Sequence, residues 1–174
     1  MAGNPLATLP NLVSLSRIPM AAVFPFMEST EARLVLIAAA AGTDFLDGYL
    51  ARSRHETSRL GALIDPIADR CFVLIAVWTL WLESTLSLTA MLVLAARDIA
   101  VIPGFLGTRL IPRLRRFAFP ARPAGKVVTT LQLATLAVAY LAPGLIATCI
   151  ALVAVASAVA IADYAAMLWK KNAA

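Results

Sequence analysis

Apolar segments separated by short polar connections run through almost the whole chain. Six such segments can be drawn, each near the roughly 20 residues that a membrane-spanning helix needs. The first carries Arg17, Pro19 and Pro25, so we expect it to be tilted, kinked or partly interfacial. The pattern predicts an all-α integral membrane protein with about six transmembrane helices. The segments cover approximately residues 11–27, 32–50, 60–82, 86–106, 127–141 and 145–169.

Composition supports a membrane protein and limits its organisation. The 174 residues are 61% hydrophobic, with a mean hydropathy of +0.84, whereas soluble domains are roughly 45–50% apolar. The length suits a single membrane-embedded domain, residues 1–174, in which residues 1–10 form an interfacial lead-in. A net charge of +5 could indicate a nucleic-acid-binding protein, but the location of the charged residues along the chain argues against it. They fall between apolar segments, where they attract anionic membrane lipid, and no basic run contains interleaved aromatics, so we expect no nucleic-acid partner.

Basic residues concentrate on alternating connections. By the positive-inside rule this distribution places both termini in the cytoplasm and the chain, as a multi-pass protein, in the cytoplasmic (inner) membrane. The opposite connections carry few or no basic residues. The basic residues of the predicted cytoplasmic side are Arg52, Arg54, Arg59, Arg109, Arg113, Arg115, Arg116, Arg122, Lys126, Lys170 and Lys171.

Two pairs of aspartates interrupt this apolar chain. Asp44 and Asp47 are three residues apart, and Asp65 and Asp69 are four apart, so on helices each pair projects from one face. An ionised side chain near the bilayer centre costs about 3 kcal/mol, and a bound divalent ion is the simplest neutralising partner. Carboxylate oxygens suit Mg²⁺ or Mn²⁺. In the predicted topology both pairs lie near the cytoplasmic interface, so we expect the active site to face the cytoplasm.

The spacing D-x-x-D-G-x-x-A-R-x8-G-x3-D-x3-D resembles the signature of the CDP-alcohol phosphotransferase family. Every specified position is met, at Asp44, Asp47, Gly48, Ala51, Arg52, Gly61, Asp65 and Asp69. The resemblance implies that family's transmembrane helix bundle, in which the four aspartates hold two Mg²⁺ or Mn²⁺ ions and Asp69 is also the general base. It further implies a CDP-linked donor with CMP as the leaving group, and our main hypothesis is that this donor is CDP-diacylglycerol. Because the family is commonly dimeric, the resemblance also makes a homodimer one of the possible oligomeric states. Residues matching the donor-binding positions are Asn11, Ser14, Asp44, Gly48, Arg52, Ser58 and Gly61.

The acceptor alcohol has to be recognised by the second half of the chain. Arg97 and Asp98 lie in the middle of the fourth segment, where ionisable residues are functional or paired. We expect Arg97, Lys126 and Arg116 to bind an acceptor phosphate. Residues 9–17, 96–98 and 125–130 resemble the branch of phosphatidylglycerophosphate synthases and eukaryotic-type cardiolipin synthases.

The resemblance to that branch favours sn-glycerol 3-phosphate as the acceptor. Phosphatidylglycerol, as in a cardiolipin synthase, and inositol phosphate remain alternatives. A divalent-cation transporter is a more distant hypothesis. The ion site of such a protein would lie near the bilayer midplane, often between inverted repeats, whereas the aspartates here are predicted to lie near the cytoplasmic interface and the sequence shows no repeat.

Overall fold

The computed structural model describes residues 9–54, 61–110 and 123–172, and all secondary structure in these ranges is helical. Near the ends of these ranges and at residue 69 it describes the backbone but not the side chains, namely at residues 9–11, 47–54, 61–66, 69, 102–110, 123–124 and 167–172. The prediction of an all-α protein is confirmed. The helices are α1 (Leu9–Leu15), α2 (Arg17–Val23), α3 (Thr30–Arg54), α4 (Gly61–Leu82), α5 (Leu88–Leu110), α6 (Pro123–Leu141) and α7 (Ile146–Asn172), with 3₁₀ turns at Phe24–Phe26 and Pro143–Leu145.

The first predicted segment is two short helices rather than one. Proline has no backbone N–H, so Pro19 cannot donate to the carbonyl of Leu15, and its ring crowds that carbonyl. The chain turns at Ser16, whose hydroxyl donates to the Val13 carbonyl at 2.6 Å. Pro25 then lies in the 3₁₀ turn that ends this part of the chain. Pro19 thus accounts for the break between the two helices, while the expectation that this segment is tilted, kinked or partly interfacial stays a prediction.

Serine side chains start two of the long helices. The Ser29 hydroxyl accepts a hydrogen bond from the Ala32 backbone N–H at 3.0 Å, immediately before α3. The Ser87 hydroxyl accepts from the Ala90 N–H at 3.1 Å at the start of α5. Each bond satisfies a backbone donor that the first helical turn leaves without a partner. These caps fix where α3 and α5 begin, at Thr30 and Leu88.

Residues Met1–Glu83 form one compact unit, in which α1 and α2 pack on the two long helices. Helix α1 contacts both α3 and α4, whereas α2 packs chiefly on α4. Phe24 is fully buried and meets Phe72 of α4 edge to face, with ring centres 5.7 Å apart. Small residues allow backbones to approach closely in such contacts. Those buried in this unit include Ala21, Ala40, Ala68 and Ala76.

A buried arginine ties together the end of this unit at which α3 begins and α4 ends. Arg33 is 8% exposed and donates from both terminal nitrogens to the two carboxylate oxygens of Glu83, each at 2.5 Å. Its Nε donates to the Met27 carbonyl at 2.7 Å, and its guanidinium carbon lies 5.7 Å from the centre of the Phe24 ring. We call Arg33, Glu83, Met27 and Phe24 the Arg33 clasp.

Residues Ser84–Ala174 form the second compact unit, built from α5, α6 and α7. Helix α7 packs on both α5 and α6. It presents Val153, Ser157, Ala160 and Tyr164 as buried positions, spaced three or four residues apart on one face. Leu94 of α5 and Leu136 of α6 are buried as well. Large apolar side chains on the other side of α7, such as Val155, are exposed.

Among the described residues, one stretch is long and apolar enough to cross a membrane by length and composition. It is Pro143–Ala166, with a mean hydropathy of 2.6 and 17% of its window buried. Shorter apolar stretches are Leu12–Phe26, Arg70–Leu82 and Gly125–Leu141. Each of the six predicted segments coincides with helix in the described residues, and their crossing of a bilayer remains a prediction for all six. The single-domain prediction also remains a prediction.

Candidate functional site

The four aspartates of the sequence motif lie on the two long helices of the first unit. Asp44 and Asp47 belong to α3, and Asp65 and Asp69 belong to α4, as predicted. At a rise of about 1.5 Å per residue, Asp47 is roughly 10 Å from the end of α3 and Asp69 roughly 12 Å from the start of α4. Those two helix ends are the ones joined by residues 55–60. Helices α3 and α4 contact each other, and α1 contacts both.

The structure describes the side chain of Asp44 but not those of Asp47, Asp65 and Asp69. Among the described side chains, no group of three or more His, Cys, Asp or Glu residues stands close enough to hold a metal. The predicted four-carboxylate cage therefore stays a prediction. Its chemistry fits a divalent ion, because the motif supplies only hard oxygen ligands. The Asp44 side chain is 44% exposed, so its carboxylate is accessible.

A buried arginine stands beside Asp44. The Arg17 side chain, from the first turn of α2, is only 2% exposed, and its NH2 lies 3.9 Å from Asp44 Oδ1. Its Nε donates to the hydroxyl of Thr43 at 2.9 Å, and that hydroxyl donates to the Ala40 carbonyl at 2.8 Å. The sequence analysis gave Arg17 no role at the aspartate site. An ionisable residue inside an apolar segment was the signal that could have identified it.

The predicted donor-binding residues are distributed over α1, α3 and α4. Ser14 is completely buried in α1, the helix that contacts both aspartate-bearing helices. Asn11 is also on α1, and Gly48 and Arg52 are on α3, but their surroundings lie outside the described side chains. Gly61 is the first residue of α4. Ser58 lies outside the described residues, so the donor-binding set as a whole stays a prediction.

In the second unit, Arg97 and Asp98 form a buried ion pair. Arg97 is 4% exposed and Asp98 is 1% exposed, with Arg97 NH1 2.7 Å from Asp98 Oδ1. Gln132 of α6 donates from Nε2 to Asp98 Oδ2 at 2.9 Å and to the Leu94 carbonyl at 2.7 Å. Asp98 thus receives hydrogen bonds from two helices. Sequence reasoning did not identify Gln132, whose amide has a partner 34 residues away along the chain.

The guanidinium of Arg97 lies directly against the first turn of α6. A Cβ atom on Gly125 would overlap Arg97 NH2 and would lie 3.7 Å from the Tyr164 hydroxyl. Only glycine leaves this space free. Arg97 Nε is buried and has no hydrogen-bond partner among the described residues. The cluster of Arg97, Asp98, Gly125 and Gln132, here the Arg97 cluster, is thus a buried ion pair whose Arg97 Nε donor has no partner in the part of the chain that the structure describes.

The other two predicted acceptor-binding residues are less well defined. Lys126 follows Gly125 in the first turn of α6 and is exposed. Its ammonium group is therefore available to an anion. Arg116 lies outside the described residues, and its role stays a prediction. Whether Arg97 and Lys126 act on the same ligand as the aspartates also stays a prediction.

A family model and two of the curated relatives that resemble this chain all name phosphatidyltransferases that use a CDP-linked donor. A family model described as CDP-alcohol phosphatidyltransferase matches residues 7–166. A protein of Aquifex aeolicus named CDP-diacylglycerol–glycerol-3-phosphate 3-phosphatidyltransferase is 36% identical over 110 residues, covering 60% of this chain and 61% of its own length. A Rickettsia bellii protein of the same name is 30% identical over 139 residues, covering 76% of this chain and 75% of its own.

A second named activity occurs among the relatives. The cardiolipin synthase (CMP-forming) of Rattus norvegicus is 29% identical over 153 residues, covering 78% of this chain and 51% of its own length. The chain thus spans between about half and two thirds of the Rattus and Aquifex relatives.

Proposed function

Since the chain belongs to the CDP-alcohol phosphatidyltransferase family, we propose that it transfers the phosphatidyl group of CDP-diacylglycerol to sn-glycerol 3-phosphate. The products are phosphatidylglycerophosphate and CMP. The observation that carries this proposal is the complete aspartate motif on α3 and α4 within a family match that runs from residue 7 to residue 166. The names of the Aquifex and Rickettsia relatives support the choice of acceptor.

Asp44, Asp47, Asp65 and Asp69 would hold two divalent ions, most suitably Mg²⁺. Such ions, when bound, offset the negative charge of the CDP diphosphate and stabilise the leaving oxygen. The family generally uses divalent metal ions, and the oxygen-only donor set supports Mg²⁺ or Mn²⁺ here. We propose that Asn11, Ser14, Gly48, Arg52, Ser58 and Gly61 bind the donor. Arg52 is suited to hold a phosphate group through two parallel N–H donors.

Asp69 would act as the general base. Its carboxylate accepts the proton of the acceptor hydroxyl while that oxygen forms a bond to the β-phosphorus of the donor. The bond from that phosphorus to the CMP oxygen breaks, and CMP leaves with the electron pair. A positioned base typically contributes a factor of about 10² to 10⁴ in rate.

The Arg97 cluster would recognise the acceptor phosphate. Its support is a buried guanidinium whose Nε has no hydrogen-bond partner among the described residues, held against the first turn of α6, whose backbone N–H groups favour anions. Lys126, exposed in the same turn, would add a second positive charge, and Arg116 a third. Such a basic site suits a phosphate-bearing alcohol and repels choline or ethanolamine.

We further propose that both compact units belong to one membrane-embedded domain of about six spans. The continuous family match across both units supports this, and the family is membrane-associated. Both termini and the active site would face the cytoplasm, in the inner membrane, because the basic connections alternate. Cysteines introduced one at a time at residues 3, 85 and 173 of a cysteine-free variant would test the orientation. Labelling of intact cells by an impermeant thiol reagent only at residue 85 is expected.

Radiolabelled CDP-diacylglycerol offered with Mg²⁺ and one acceptor at a time tests the reaction. Glycerol 3-phosphate should give an acidic lipid product and stoichiometric CMP. Inositol phosphate and serine, offered in the same way, should give no lipid product. Omission of Mg²⁺ should stop the reaction with glycerol 3-phosphate. CMP release without any acceptor-dependent lipid would overturn the transferase proposal.

A cardiolipin synthase is the second candidate, favoured by the similarity to the Rattus enzyme. In that case phosphatidylglycerol, rather than glycerol 3-phosphate, would be consumed in the same assay. The lipid product distinguishes the two, since cardiolipin carries four acyl chains and phosphatidylglycerophosphate carries two.

A further inference from the structure

We propose that Arg17 and Thr43 together form a positioning pair that orients Asp44 for divalent-ion binding. The proposal rests on the proposed function, because it takes Asp44 as a metal ligand. Neither residue belongs to the aspartate motif, and Arg17 comes from a different helix, α2. The contact joins residues 26 positions apart, Arg17 Nε donating to Thr43 Oγ1 at 2.9 Å.

Burial makes the location of Arg17 specific. A guanidinium that is 98% removed from solvent is costly unless other groups compensate for its lost hydration. The structure supplies the Thr43 hydroxyl and the Asp44 carboxylate as neighbours on one turn of α3. An arginine needed only to orient the chain in a membrane would extend to the lipid headgroups instead. The position of Arg17 therefore indicates a role at α3.

Thr43 fixes the direction of the guanidinium. Its hydroxyl donates to the Ala40 carbonyl at 2.8 Å, which sets the hydrogen position and leaves an oxygen lone pair for Arg17 Nε. The planar guanidinium then directs NH2 towards Asp44 Oδ1 at 3.9 Å. This separation is too long for a hydrogen bond but short enough for strong attraction. Arg17 consequently attracts the Asp44 carboxylate, whose side chain remains 44% exposed.

Partners that orient a metal ligand typically change metal affinity about 10- to 100-fold when they are removed. Direct binding of Mn²⁺ to the detergent-purified full chain, followed by electron paramagnetic resonance without substrates, measures this affinity independently of turnover. Thr43→Val should weaken Mn²⁺ binding about 10-fold, because the guanidinium loses its anchor while every charge remains. Arg17→Gln should weaken binding at least as much, and Arg17→Lys should not restore it.

Thr79→Val is the matched control. Thr79 is also a helical threonine of the same unit, buried where Thr43 is half-buried, and its hydroxyl donates to the Ile75 carbonyl at 2.8 Å. Its removal should leave the Mn²⁺ affinity unchanged. If Arg17→Gln does not fold, Thr43→Val still carries the test, since it removes one hydroxyl and adds no charge defect.

Three outcomes would overturn the positioning pair. Unchanged Mn²⁺ binding in Thr43→Val would remove the role of Thr43. Tighter binding in Arg17→Gln would show that Arg17 only repels the ion. Full recovery in Arg17→Lys would show that charge alone suffices. Failure of the unaltered protein to bind Mn²⁺ would instead refute the metal site of the proposed function.

Discussion

Arg17 and Arg33 are both buried in the first unit, yet their surroundings differ. Arg33 donates to both oxygens of Glu83 at 2.5 Å and to the backbone carbonyl of Met27. Its guanidinium also lies over the ring of Phe24. Arg17 donates to a neutral hydroxyl at 2.9 Å and stands 3.9 Å from a carboxylate that is 44% exposed. Arg33 is thus paired through hydrogen bonds with both oxygens of Glu83, whereas Arg17 NH2 stands 3.9 Å from Asp44 Oδ1.

If Asp44 is a metal ligand as proposed, the difference separates stability from chemistry along a single helix. Arg33 and Asp44 are 11 positions apart on α3, which is about 16 Å. At one end a tightly paired arginine joins the start of α3 to the end of α4. At the other end, Arg17 stands 3.9 Å from Asp44, the residue that we propose as a metal ligand. We therefore expect substitutions at the two ends to affect different measurements.

The largest effect is expected at the chemical end. Asp69→Asn should reduce kcat about 10²- to 10⁴-fold, because the amide cannot accept the acceptor proton. Binding of a CDP-donor analogue, measured by equilibrium dialysis, should remain detectable, and the melting temperature should change little. Full activity in this variant would exclude Asp69 as the base.

Substitution in the Arg33 clasp should act on stability alone. Arg33→Gln removes hydrogen bonds to a charged partner, for which about 2 kcal/mol is a reasonable loss, since Glu83 is 37% exposed and can be rehydrated. Denaturant unfolding in detergent measures the loss. The Mn²⁺ affinity should stay unchanged. A weakened Mn²⁺ affinity with normal stability would contradict the separation of the two ends.

Gly125→Ala extends the comparison to a third buried arginine, in the second unit. The new methyl group would displace Arg97 NH2 without removing the charge. If Arg97 binds the acceptor phosphate, KM for glycerol 3-phosphate should rise about 10-fold, the effect of losing about 1.4 kcal/mol of binding. KM for CDP-diacylglycerol should be unaffected. Gly144→Ala is the control, because no atom lies within 4 Å of the added Cβ.

The smallest effect is expected at Gly42, on α3 between the two ends. A Cβ there would meet nothing within 4 Å, so Gly42→Ala should stabilise the helix by about 0.5–1 kcal/mol. Thermal unfolding measures the gain. A loss of stability would mean that this face of α3 is covered by something absent from the described residues.

Much of the helical framework could be predicted from sequence. Long apolar segments determine where helices form, and Pro19 and Pro25 marked the interrupted first segment in advance. The motif also placed the aspartates on two successive helices. These properties depend on neighbours a few residues away, which a single sequence displays.

Side-chain partners at long range could not be predicted. Arg33 finds Glu83 50 positions later, and Gln132 finds Asp98 34 positions earlier. Which faces meet depends on the rotation of each packed helix, and about 100° separates successive residues. A charged residue in an apolar segment therefore indicates that it needs a compensating partner, but the sequence does not identify that partner.

The interruption at Ser16 has a consequence for how the chain can vary. Arg17 begins α2 directly after the turn, so the length of this junction decides which way its side chain points. One inserted residue would rotate the guanidinium by about 100° and carry it away from Thr43. We expect substitutions between α1 and α2 to be tolerated more readily than any insertion or deletion, which a library of single-residue indels could measure.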